Sequence, residues 1–142
     1  MGPAQKRTDA FPGPLQACPV IAKIGQLALV FRNIDAATVF YRDTLGLKFL
    51  FSAGPRLAFF DCGGTMLMFT AAERPEFDHP NNVVYFNVAD IQAAHVSLLA
   101  KGVKFEEAPH LVAKLPAFDL WLASFRDPEH NLLALRSEVK PA

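Results

Sequence analysis

The sequence predicts an α+β fold made of two tandem βαβββ modules, and three observations carry the prediction. First, residues 33–49, NIDAATVFYRDTLGLKF, return as DIQAAHVSLLAKGVKF at residues 90–105. Ile34, Ala36, Ala37 and Val39 recur as Ile91, Ala93, Ala94 and Val96 at an offset of 57; after a one-residue deletion, Gly46, Lys48 and Phe49 recur as Gly102, Lys104 and Phe105 at an offset of 56. Self-similarity at a fixed spacing marks a repeated structural unit. Second, each copy joins an apolar stripe at helical spacing to a glycine stop. Third, period-two alternation and turn residues follow each copy, as strands joined by hairpins require.

Residues 1–21 carry Pro3, Pro12, Pro14 and Pro19 and read as a flexible proline-rich arm, since proline removes backbone donors. The first module spans 22–71. Its opening strand is IGQLALVF, 24–31. Asn33 or Asp35 can cap the helix that follows, Ala37, Phe40, Tyr41 and Leu45 form its stripe, and Gly46 ends it. Strands follow at 47–52, 57–61 and 65–70, turned by Ala53-Gly54-Pro55 and Gly63-Gly64. Residues 72–82, AERPEFDHPNN up to Asn82, are polar and read as a linker. The second module, 83–137, restarts with a strand at 83–88, a helix at 90–101 striped by Ile91, Ala94, Leu98 and Leu99, and strands at 103–107, 120–125 and 132–136; residues 138–142 are a tail. This copy carries about seven extra residues in APHLVAKLPAFD, a stretch that reads as a long loop of the kind that lids or binds.

The chain has 142 residues with 14 basic and 14 acidic side chains, so it makes no electrostatic case for nucleic acid or an anionic membrane. No apolar run is long enough to span a bilayer. The N-terminus lacks the pattern of a signal peptide, and Cys18 and Cys62 are in no metal spacing, so a reduced cytoplasmic protein is expected.

Strand alternation separates two faces. Leu27, Leu29, Leu67, Phe69, Val84, Phe86, Val88, Leu133 and Leu135 should lie under the helices. The opposite face mixes polar and apolar groups, among them Gln26, Met68, Tyr85, Asn87, Ala134 and Arg136, as small-molecule pockets do. Gln26, Met68 and Tyr85 are candidate ligand contacts on that face; Gln26 could equally be a satisfied structural amide and Tyr85 a core ring. Trp121, after the long stretch, is a candidate stacking platform or a packed core residue, and His110 within it is the candidate acid–base group or an idle surface histidine. Arg56 and Arg126 could clamp an anion or simply be solvated. His95 belongs at a helix boundary, His79 in the linker, and His130 in a tight turn that tolerates positive φ. Glu106 and Glu107 alternate faces and cannot pair as acid and base, and Cys62 reads as structural.

FYRDTLGL after the first strand and DPEHNLLAL at the end, set in two βαβββ modules over about residues 22–137, resemble the vicinal oxygen chelate superfamily of glyoxalases, bleomycin-resistance proteins and extradiol dioxygenases. The resemblance implies a cupped mixed sheet with helices on its outer face, a small-molecule cavity completed within a chain or across a homodimer, and in catalytic members a divalent metal. The family's four ligand slots fall on Gln26, Met68, Val83 and Ala134. That set is unable to hold a hard divalent ion, so no metal and no cofactor are expected. The resulting expectation is a protein that binds a small organic molecule; the alternative is a glyoxalase- or dioxygenase-type enzyme with a non-standard site.

Overall fold

The computed structural model describes residues 20–72 and 75–141. Most of the proline-rich arm lies outside the described residues. The elements run β1 (Gln26–Val30), α1 (Ile34–Val39), β2 (Lys48–Ser52), β3 (Leu57–Cys62), β4 (Thr65–Thr70), β5 (Val84–Asn87), α2 (Ile91–Ala100), β6 (Phe105–Lys114), β7 (Asp119–Arg126) and β8 (Leu132–Val139). Two four-stranded mixed sheets result, ordered β1-β4-β3-β2 and β5-β8-β7-β6.

The helices start as the sequence demands. Asn33 Oδ1 accepts the amide of Ala36 at 3.0 Å and Asp90 Oδ1 that of Ala93 at 3.1 Å, the same cap in both copies. They end differently. α2 stops cleanly, with Gly102 at φ 90°. α1 gives way after six residues to a wider π-type turn over Phe40–Thr44, closed by Leu45 N–H donating to Phe40 O at 2.9 Å before Gly46 at φ 79°. The extra width carries Tyr41 into the core.

The repeat governs the strands as well. Leu27 faces Leu67 in the first sheet and Val84 faces Leu133 in the second; Ala28–Met68 matches Tyr85–Ala134, and Val30–Thr70 matches Asn87–Arg136. Each parallel pair thus keeps one register, at offsets of 57 on the first strand and 66 on the last.

Two sequence expectations are corrected. The stretch APHLVAKLPAFD is not a loop: it lengthens β6 and β7 into one hairpin, turned where Leu115 N–H donates to Phe118 O at 2.9 Å. Leu111, Val112 and Ala113 are apolar enough to pair, and register shifts along β6 absorb Pro109, which has no donor to give the ladder. The tail predicted at 138–142 begins two residues too early, since β8 runs through Glu138 and Val139 to stay paired with Leu120 and Asp119.

Leu29, Leu67, Phe69, Leu133 and Leu135 are buried in one core shared by both modules, joined by Phe31, Tyr41, Phe60 and Phe125. Leu27 departs from its predicted place and is 39% exposed. The cause is position: α1 packs over β3 and β4, leaving the start of edge strand β1 uncovered.

The two modules are fastened by the turn DPEHN. Asp127 is buried, and its carboxylate accepts the Tyr41 hydroxyl at 2.8 Å, the amides of Glu129 and Asn131 at 2.9 Å each, and Asn131 Nδ2 at 2.9 Å. Burial, then the Asp127 charge beside it, pushes the Tyr41 hydroxyl far above its usual range, so it remains a proton donor. Glu129 reaches across to accept the amides of Arg32 and Asn33 at 2.8 and 2.6 Å, at the entrance to α1. Asn81 completes the clasp. It pairs with both the N–H and the C=O of Val30, at 2.9 and 3.0 Å, and donates to Asn131 Oδ1 at 3.2 Å. His130 takes φ 67° inside this turn, as the sequence allows.

Candidate functional site in the open faces of the sheets

Each sheet buries one face under its helix and leaves the other open, and the pairing places the side chains of the open faces. In the first module Met68 stands between Ala28 on β1 and Phe59 on β3, and Phe59 faces Phe51 on β2. The Phe51 and Phe59 rings lie 4.8 Å apart between centroids, with Phe51 50% exposed. Gln26 adjoins this cup: its Nε2 approaches Met68 Sδ at 3.7 Å. A thioether is a weak acceptor, so much of the amide's capacity remains for a ligand. The result is a thioether and aromatic surface with one amide at its margin.

The second module's open face is more polar. Tyr85, 53% exposed, stands beside Ala134, and Asn87 beside Arg136; Arg136 in turn faces Leu122, and Leu122 faces His110. His110 therefore does share a face with Tyr85, although it sits on a strand rather than a loop. Its Nδ1 lies 2.8 Å from Ala108 O, and Nε2 lies 3.9 Å from Glu107. Ser124 Oγ also reaches Glu107, at 3.5 Å. Both groups turn to the same carboxylate instead of to each other, so they form no nucleophile–base pair.

Other candidates are dispersed. Trp121 lies on the opposite face, with the alternation that buries Ala123 and Phe125; it packs on the core and lines a hollow of about 340 Å³ with Ile91 and Ser137. Sequence alone placed it after a loop; its parity on β7 puts it under the helix. Arg56 is exposed in the β2–β3 turn. Arg126 is taken: Nε and Nη2 fork onto Glu106 at 2.6 and 3.3 Å, and Nη1 donates to His130 O at 2.9 Å. This pairing holds Glu106 below the usual carboxylate range. His95 packs edge-on to Phe105, centroids 4.5 Å apart.

Phe51 and Phe59 were missed because only the first and last strands of each module were sorted into faces. Extending the same alternation through FLFS and LAFFDC would have found them.

Cys62 lines a cleft of about 420 Å³ between the modules, with Lys48, Phe86 and Leu98. Burial, then the neighbouring Asp61 charge, pushes its thiol up. In a Cys18→Ser background, iodoacetamide at pH 7.5 should label Cys62 at least several-fold more slowly than it labels free cysteine; labelling as fast as the free thiol would contradict the assignment.

Comparison with known proteins agrees with this architecture. The model of the Glyoxalase/Bleomycin resistance protein/Dioxygenase superfamily matches residues 23–135. The uncharacterized protein YraH of Bacillus subtilis (strain 168) is 28% identical over 126 residues, covering 80% of this chain and 96% of YraH. Among solved structures, lactoylglutathione lyase from Agrobacterium tumefaciens superposes with a TM-score of 0.67 at 22% identity, over 84% of this chain and 96% of that one. TnmS3, an antibiotic binding protein from Streptomyces sp. CB03234, superposes with a TM-score of 0.69 at 19% identity, over 84% of this chain and 98% of that one.

Proposed function

The chain belongs to the Glyoxalase/Bleomycin resistance protein/Dioxygenase superfamily, and from that footing we propose that it binds a small organic molecule in the cup of its sheets without a divalent metal. One observation carries the reading: the Gln26–Met68 pair at the rim of an open apolar surface formed with Phe59 and Phe51. The four positions at which the family resemblance expects metal ligands hold an amide, a thioether and two aliphatic side chains, Gln26, Met68, Val83 and Ala134. Hard divalent ions require carboxylate, imidazole or several amide oxygens. These residues do not fit such an ion, and among the described residues no group of three or more His, Cys, Asp or Glu could hold one. The fold itself is neutral on the point, since it serves a lyase and an antibiotic binding protein alike.

A homodimer completes the cavity. Edge strands β1 and β5 and open-face residues such as Phe51 and Tyr85 leave apolar surface that a second copy would cover. Among the described residues no helix is long and apolar enough to cross a membrane, and a cytoplasmic location goes with the free thiol of Cys62. Native mass spectrometry of freshly purified protein tests the assembly: the expected species is a dimer, with added organic mass where a cellular ligand is retained. A monomer at micromolar concentration would overturn the shared cavity.

A further inference from the structure

The open face of the second module carries one group that apolar binding does not use. Arg136 lies on β8, an inner strand, between Asn87 on β5 and Leu122 on β7. Its side chain is only 26% exposed. Nη1 donates to Asn87 Oδ1 at 2.6 Å and lies 3.1 Å from Glu138 Oε2. Nε and Nη2 make no hydrogen bond to any described residue. A guanidinium presents those two nitrogens as a planar fork that fits two oxygens of one anion. Asn87 and Glu138 hold the fork from one side, so little rotamer freedom is left to lose on binding.

The surroundings narrow the ligand. Leu122 lies directly across from Arg136, and Tyr85 lies two residues from Asn87 on the same face. The other charged or titratable groups on this face are Glu138, bound to Arg136 itself, and the Glu107–His110 pair. In the repeat, the positions matching Asn87 and Arg136 are Val30 and Thr70, so the first module has no counterpart to the fork. We propose that the second module reads an anionic group, a carboxylate or sulfonate on an aromatic body, through the Nε/Nη2 edge of Arg136. The inference rests on the binding reading above and gives it a ligand class.

The test titrates two fluorescent probes that share an aromatic body, anilinonaphthalene sulfonate and the uncharged N-phenylnaphthylamine, into native protein and into Arg136→Gln and Arg136→Lys. Native protein should bind the sulfonate at least about tenfold more tightly than the neutral probe, a difference of roughly 1.4 kcal/mol. Arg136→Gln should erase that preference while leaving the neutral probe's affinity unchanged, which also shows that the cup is still folded. Arg136→Lys, which keeps the charge but not the fork, should recover only part of it. Equal affinity for both probes, with no effect of Arg136→Gln, overturns the anion assignment and leaves binding by the cup intact. If neither probe binds, the anion assignment and binding by the cup are both overturned. Loss of the dimer in Arg136→Gln without a sulfonate preference in native protein would assign the fork to the subunit interface and overturn the proposal.

Discussion

Asp127→Ala is expected to destabilise the fold by about 3 to 5 kcal/mol, the cost of removing one partner from a buried charged network. Four hydrogen bonds end on this carboxylate, and one of them comes from the other module. Its loss leaves the buried Tyr41 hydroxyl without its acceptor. Typical domains have about 5 to 15 kcal/mol in hand, so the variant should melt on the order of 10 °C lower. Tyr41→Phe should cost less, about 1 to 2 kcal/mol, because the ring still fills its place against Phe31 and Phe69 and Asp127 keeps three donors. Urea unfolding of both variants checks the pair. A loss below about 1 kcal/mol for Asp127→Ala would mean that the Asp127 network is not what holds the modules together.

The second large effect concerns the cup. Met68→Lys should weaken binding of N-phenylnaphthylamine by about 100-fold or more, equivalent to roughly 2.7 kcal/mol. A lysine there places an ammonium between Ala28 and Phe59, where any apolar ligand would have to desolvate it. Stability should change little, since Met68 is on the open face and outside the buried core. Fluorescence titration against native protein reads the first quantity and urea unfolding the second. An unchanged probe affinity would move the binding surface away from the first module.

The architecture was legible because its signals are local and doubled. Asn33 and Asp90 cap at the same repeat position, Gly46 and Gly102 follow both helices at positive φ, and the offset of 57 measured on the helices carries over to the opening strands, where Leu27 and Val84 take matching registers on β4 and β8. The two motifs that suggested the family, FYRDTLGL and DPEHN, turn out to touch, through Tyr41 and Asp127. Sequence marked both segments but had no means of pairing residues 86 positions apart.

The site was less legible. Gln26 and Met68 could be named from the sequence because strand alternation puts them on the open face and the family resemblance lands two ligand slots on them. Trp121 stayed open between stacking platform and core residue because its face depends on where β7 begins, and the extra residues of the second copy read as loop rather than strand. A one-residue error in phase transfers a side chain to the other face. Arg136 was visible as one member of a mixed face. Its free fork depends on where Asn87 and Glu138 stand, which alternation alone does not reveal.

The central claim is that this cup binds its ligand without a metal. Elemental analysis of native protein, joined to N-phenylnaphthylamine titrations with and without a chelator, tests it most directly. The account predicts no stoichiometric transition metal and one binding curve under both conditions. A stoichiometric metal, with binding that fails under chelator and returns when that metal is restored, would contradict it and put an enzyme of the glyoxalase or dioxygenase type in its place.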